Sequence, residues 1–219
     1  MANMIIDEAK KAIATFVFAH GAGAGKNHQF MTTVSELLVQ RGINVVRFDF
    51  PYMVRREEEG RKFPPNRMPV LVQAYLDIVD SLDDSLKKPL FIGGKSMGSR
   101  VAMTLLGENT AVATMVKGAI CLGYPFHPPK KPDNLRLAPL EQQSLPTLIC
   151  QGDRDTLGNK AEVEQYQLAK HYQVEYLPDG DHDFKPRVRS GHTHEQHIKH
   201  VVDTIEQFIR HQLEENSNG

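Results

Sequence analysis

Residues 94–98 read GKSMG, a serine with a glycine two positions to either side. The pentapeptide follows the apolar run PLFI and precedes the helical pattern GSRVAMTLL. That is the strand-to-helix context of a nucleophile elbow. The glycines would let neighbouring backbone crowd around so sharp a turn, and the start of the helix favours negative charge developing beside Ser96. A hydroxyl becomes a useful nucleophile only when a base takes its proton and a third group orients that base. Two later segments offer those groups. QGDRDTLG, after the run PTLIC, supplies Asp153 and Asp155, and GDHDF, after VEYL, supplies His182. The serine, acid and histidine order and the three strand-end positions together point to acyl transfer through Ser96.

A second glycine-rich stretch, FAHGAGAGKNH at 18–28, presents either a phosphate loop or an oxyanion loop. A phosphate loop needs G-x-x-x-x-G-K-[ST], but His20 stands where the first glycine belongs and Asn27 where the hydroxyl belongs. GGKSMG places Ser96 after Gly94 and Lys95, yet Pro89 replaces the first glycine there. The dinucleotide spacing G-x-G-x-x-G also fails, since Gly21 and Gly23 lead to Lys26, and Gly23 and Gly25 to His28. The stretch therefore reads as the loop after an early strand that donates backbone N–H groups to an oxyanion.

These loops must be held by a scaffold, and its elements are visible as short apolar runs separated by amphipathic segments. ATFVF, NVVRF, PLFIGG, VKGAICL, PTLIC and VEYL predict a mainly parallel sheet of about six strands with helices on both faces. Helices are expected over QFMTTVSELLVQRG, PVLVQAYLDIVDSL, GSRVAMTLLG and Asn159 to His171. A last one follows Gly191, opened by a Thr193/Gln196 capping box and carrying an Ile198, Val201, Val202, Ile205, Phe208, Ile209 stripe. Two connections read as long loops, Pro51 to Met68 and Gly123 to Leu145, neither large enough for a cap domain. One domain over 1–219 is expected, with a fraying tail from about 214.

The motifs HGAGAG, RFDFPY, GGKSMGSRVA, GYPFHPP and GDHDF together resemble the α/β-hydrolase superfamily. Within it the chain is similar to the small uncapped branch that includes testis-expressed protein thirty and the hydrolase-like subunit of the nonspecific-lethal complex. The resemblance implies a compact α/β-hydrolase fold lacking the first strands of larger members. It implies oxyanion donors at the backbone N–H groups of Ala22 and Met97, and it favours Asp155 over Asp153 as the acid, because Gly152-x-x-Asp155 resembles the superfamily's acid turn. His20, Tyr124, Phe126 and His127 are candidates to line the substrate pocket, the last three with loop packing as the competing role.

Other patterns carry less. HTHEQHIKH breaks the H-E-x-x-H spacing, because His197 follows His194-Glu195 one position too soon, so no metal is expected and a solvated helix face is. DGDHDF spaces its aspartates as a calcium loop does, but Phe184 replaces the necessary glycine and Ser190 the closing glutamate. Arg55, Arg56 and Arg61 would suit an acidic substrate group if their loop served the site. A formal net charge of -1 gives no broad attraction for nucleic acid or anionic lipid. Cys121 and Cys150 read as buried thiols, and the absence of a signal peptide or long apolar run suggests a cytoplasmic protein. The expected activity is hydrolysis of a small carboxylic ester or thioester without a cofactor. The alternative is a catalytically weak scaffold that binds a protein partner.

Overall fold

The computed structural model describes residues 3–87 and 89–215. In chain order the elements are β1 (Met4–Asp7), β2 (Ala14–Ala19), α1 (Gln29–Gln40), β3 (Ile43–Phe48), α2 (Pro51–Glu59), α3 (Met68–Asp80), β4 (Leu90–Lys95), α4 (Met97–Glu108), α5 (Thr110–Met115), β5 (Val116–Leu122), α6 (Ala138–Glu141), β6 (Thr147–Gly152), α7 (Lys160–Val163), β7 (Tyr172–Leu177) and α8 (His194–Glu215). The strands form one sheet ordered β1-β3-β2-β4-β5-β6-β7. Every pairing is parallel except that of β1 with β3.

Both sheet faces are covered, which explains why the central strands are apolar without a polar alternation. Alternate side chains still divide between two cores. Val17, Val46, Ile92 and Cys121 join residues of α3 and α4 on one face. Phe16, Phe18, Val45, Phe91 and Ile120 join α1 and α8 on the other. Cys121 and Cys150 are free, buried thiols. Burial pushes both thiols above their ordinary pKa.

Three expectations need correction, and one is extended. The sheet expected to hold about six strands has seven among the described residues, the addition being β1, a partly buried edge strand. Its place comes from distant partners, β3 and the Asp7–Arg47 ion pair at 2.7 Å, so MIID alone carries little signal. The segment from Asn159 to His171 is not one helix. After α7 it tightens into a 3₁₀ turn over Glu164–Tyr166, and Gln167 at φ 50° ends it. The Pro51–Met68 connection contains α2, with proline in its first turn and Gly60 at φ 63° closing it. Between Gly123 and Leu145 lies the short α6.

The capping box of α8 forms, with Thr193 N–H donating to Gln196 Oε1 at 2.8 Å and Gln196 N–H to Thr193 Oγ1 at 3.2 Å. Residues 216–219 of the expected tail lie outside the described residues, and Glu214 and Glu215 end α8. Among the described residues no helix is long and apolar enough to cross a membrane.

Candidate active site

The carboxyl ends of β2, β4, β6 and β7 lie along one edge of the sheet, and each leads into a segment named above. The central one is the elbow. Ser96 adopts φ 53°, ψ -114°, a conformation that costs a non-glycine residue about 1–3 kcal/mol and persists only under strong local constraint. The constraint is visible. Ser96 N–H donates to Leu122 O at 2.9 Å, while Ser96 O accepts from Ser99 N–H at 3.1 Å and Ser99 Oγ at 2.6 Å.

The flanking glycines are required by packing. A Cβ on Gly94 would lie 2.5 Å from the Gly98 carbonyl carbon, and one on Gly98 would lie 2.5 Å from Ala19 O and 2.7 Å from His20 O. The elbow is therefore pressed against the end of β2, where HGAGAG begins.

The turn after β6 approaches the loop after β7 just as closely. A Cβ on Gly152 would sit 2.2 Å from Asp181 O. Asp155 is fully buried in this turn, and its carboxylate accepts from Leu157 N–H at 2.8 Å and Gln151 Nε2 at 2.9 Å. Its Oδ2 also accepts from His182 Nδ1 at 2.7 Å. That bond puts the imidazole proton on Nδ1 and leaves Nε2 to accept from Ser96 Oγ at 2.8 Å. Ser96, His182 and Asp155 thus form one continuous chain of hydrogen bonds. Asp153 does not join it: its backbone spans Leu177 O and Lys160 N–H, and its Oδ1 is buried without a partner.

Ala22 borders the same cleft as Ser96, and Met97 follows Ser96 in the chain. Met97 opens α4, whose first N–H groups have no intrahelical partner. Among the described residues neither amide makes a hydrogen bond. Gly21 abuts Ser96, since a Cβ added there would meet Ser96 Cβ at 3.6 Å.

The pocket-lining candidates sit elsewhere. His20 is fully buried beneath the loop, with Nδ1 donating to Gly21 O at 2.6 Å and Nε2 accepting from Phe50 N–H at 3.1 Å. Burial lowers its pKa and keeps it neutral, despite Asp49 nearby. Tyr124 gives its hydroxyl to Arg136 O at 2.9 Å, and Phe126 packs on Tyr166 with ring centroids 5.5 Å apart. His127 is buried beside Pro128 O and Glu162. All four are interior, and none borders the cleft at Ser96. A polar atom on a buried aromatic or imidazole reads identically in sequence whether it faces a ligand or a carbonyl.

That cleft, of about 410 Å³, is bounded by Gly21 to Ala24, His28, Phe30, Met31, Lys95, Ser96, His182 and Asp183. It shares His28, Phe30 and Asp183 with an adjoining cavity of about 440 Å³ between α1 and the start of α8. Phe30, Leu37 and Ile198 give that cavity an apolar side.

Sequence reasoning weighed Lys95, the residue before Ser96, only as part of a phosphate loop and gave it no place in the site. It is buried, donates from Nζ to His182 O at 2.8 Å, and lies 3.3 Å from Asp183. Burial lowers its pKa, against the pull of Asp183, Asp155 and Asp181. Gln151 was missed as well. A polar residue in an otherwise apolar strand was the available signal.

Several other cations and histidines singled out by their spacing are held by local partners. Lys26 is buried and pairs with Asp49 and with Asn3 Oδ1, which turns it inward and away from any phosphate role. Arg55 and Arg61 pair with Glu59 and stack on Phe63, and Arg56 donates to Phe63 O at 2.7 Å. His194 Nε2 meets Asp183 O, His197 Nδ1 meets Phe184 O and His200 meets Glu175.

A family model described as an alpha/beta hydrolase domain matches residues 12–210. Solved structures share the fold. A dienelactone hydrolase from Anabaena variabilis ATCC 29413 superposes with TM-score 0.71 at 19% identity, covering 95% of this chain and 90% of that one. Est1E from Butyrivibrio proteoclasticus, with ferulic acid bound, gives 0.71 at 17%, covering 96% and 95%. XC6422 from Xanthomonas campestris, described as a serine hydrolase without a lid, gives 0.62 at 15%, covering 97% and 88%. Matched by that family model over nearly its whole length, the chain belongs to the alpha/beta hydrolase family.

Proposed function

We propose that this protein is a serine hydrolase that cleaves a small carboxylic ester or thioester through an acyl-enzyme on Ser96. The observation that carries the reading is the unbroken Ser96–His182–Asp155 chain, with links of 2.8 and 2.7 Å, at the open edge of the sheet. Nε2 of His182 takes the hydroxyl proton as Ser96 Oγ attacks the substrate carbonyl. Asp155 holds the proton-bearing Nδ1 and stabilises the imidazolium. The amides of Ala22 and Met97 receive the tetrahedral oxyanion. Removing one such donor typically costs about 3–4 kcal/mol in the barrier.

His182 then passes the proton to the leaving alcohol or thiol. Water, with His182 again as base, releases the acid. Every group these steps need belongs to the chain, and no cofactor takes part. The substrate is a small molecule, one arm of it lying toward Phe30 and Ile198 in the adjoining cavity. Kinship with the small uncapped branch is part of this proposal. It is supported by the long connections, each of which carries only a short helix, α2 or α6.

The test is hydrolysis of a panel of ester and thioester substrates, aromatic esters included because Est1E holds an aromatic acid. Turnover by the wild type but not by Ser96→Ala is expected. A folded wild type inert across the panel would replace this reading with a binding scaffold.

A further inference from the structure

Tyr52, at the second position of α2, is buried and does not border the cleft that Ser96 shares with Gly21 to Ala24. Its hydroxyl lies 3.2 Å from Gly21 O and 3.0 Å from Ala22 O. Gly21 O also accepts from His20 Nδ1 at 2.6 Å. The single phenol proton is therefore shared between two successive carbonyls, Ala22 O being the nearer.

A trans peptide unit directs its N–H opposite to its C=O. The Gly21 carbonyl shares a unit with the Ala22 amide, and the Ala22 carbonyl shares one with the Gly23 amide. With both carbonyls turned to Tyr52, both amides turn away from it, and Gly21, Ala22 and Gly23 border the same cleft as Ser96. Neither amide has a hydrogen-bond partner among the described residues. A Cβ on Gly23 would meet nothing within 4 Å, so the space in front of it is open. Successive amides facing one side form an anion-binding concavity.

The geometry points to a three-donor oxyanion site, the amides of Ala22, Gly23 and Met97, in which Tyr52 is the positioning residue that aims the first two. The phenol touches no substrate. It acts by fixing two peptide planes, which a loop with glycines at 21, 23 and 25 would otherwise leave free to rotate. This inference rests on the acyl-enzyme reading, and it adds a donor and a clamp to it.

The direct measurement uses ¹⁵N-labelled wild type and phenylboronic acid, which forms a tetrahedral adduct on a reactive serine. Adduct formation is expected to move the amide protons of Ala22, Gly23 and Met97 downfield together. An unmoved Gly23 overturns the third donor without any variant being needed. Tyr52→Phe removes one oxygen, and its kcat is expected to fall about tenfold or more, with KM within about twofold. Phenylboronic acid is expected to bind it more weakly by the same factor as the loss in kcat. A folded Tyr52→Phe with kcat within twofold of wild type overturns the clamp, as does a KM that rises while kcat holds. Wild type that turns over esters and takes the adduct while Tyr52→Phe matches it removes the clamp alone. Wild type that does neither removes the acyl-enzyme reading and this inference with it.

Discussion

Replacing Asp155 with asparagine tests the relay at its most buried point. All three partners of the carboxylate are donors: Leu157 N–H at 2.8 Å on Oδ1, and Gln151 Nε2 at 2.9 Å and His182 Nδ1 at 2.7 Å on Oδ2. Asparagine keeps one acceptor and sets an NH₂ group in place of the other. The Leu157 amide is fixed by the backbone, and leaving it unpaired in the interior would cost about 1–3 kcal/mol. The oxygen therefore stays at Oδ1, and the NH₂ faces His182. The imidazole relieves the donor–donor contact by moving its proton from Nδ1 to Nε2, where it can no longer accept from Ser96. The loss in kcat/KM should be about 10⁴-fold, or about 5.5 kcal/mol of transition-state stabilisation. Folding stability falls by only about 1–3 kcal/mol, because removing a buried charge offsets part of the lost bonding. Ester hydrolysis by the purified variant, with its melting temperature measured alongside, supplies both quantities. Asp153→Asn, whose carboxylate does not reach His182, is the control and should stay within a few-fold of wild type. A folded Asp155→Asn that keeps more than about a tenth of wild-type kcat/KM refutes the reasoning.

Gly98→Ala drives a Cβ to 2.5 Å from Ala19 O and 2.7 Å from His20 O, both backbone atoms, so the oxyanion loop must shift. Turnover should fall by about 100-fold or more and stability by about 1–3 kcal/mol, measured by kinetics and denaturation. Lys95→Met removes the tether on His182 O at 2.8 Å and the ion pair with Asp183 at 3.3 Å. It should lower kcat/KM about tenfold or more, and unchanged kinetics would contradict a role in holding the histidine loop. His20 gives a pH signature. Its folded pKa is held below the ordinary 6.5 by burial, so below that pH the unfolded chain takes up a proton that the folded chain refuses. Its share of stability is present above about pH 6.5 and declines, by at most about 1.4 kcal/mol per pH unit, as pH falls toward the folded value. Denaturant unfolding at pH 7 and pH 5 should show a smaller acid loss in His20→Asn than in wild type.

Six strands of the sheet were legible because each carries a short apolar run bounded by turn residues, and the hydrogen-bonded chain of Ser96, His182 and Asp155 was legible because its members follow three of those runs in a fixed order. β1 was not, since its four residues are only partly buried and are specified by pairing with β3. The failed helix from Asn159 to His171 shows the opposite error. Its spacing of apolar residues fits a helix, but the chain tightens after Val163 and reverses at Gln167. Sequence order brought out the residues that the fold joins by hydrogen bonds, Ser96, Asp155 and His182, while Lys95, Gln151 and Tyr52 bond to main-chain carbonyls or a buried carboxylate and leave no motif. Tyr124, Phe126 and His127 read equally as a pocket wall or as loop packing, because a proline-stiffened loop and an aromatic lining share a composition. Contacts with Arg136, Tyr166 and Glu162 spend them on packing.

The central claim is that Ser96 is an activated nucleophile, and intact-mass measurement after treatment with a fluorophosphonate tests it without knowledge of the substrate. One adduct per chain, mapped to the peptide containing Ser96 and absent from folded Ser96→Ala, is the predicted result. A folded wild type that stays unmodified, or an adduct that persists in Ser96→Ala, would contradict it.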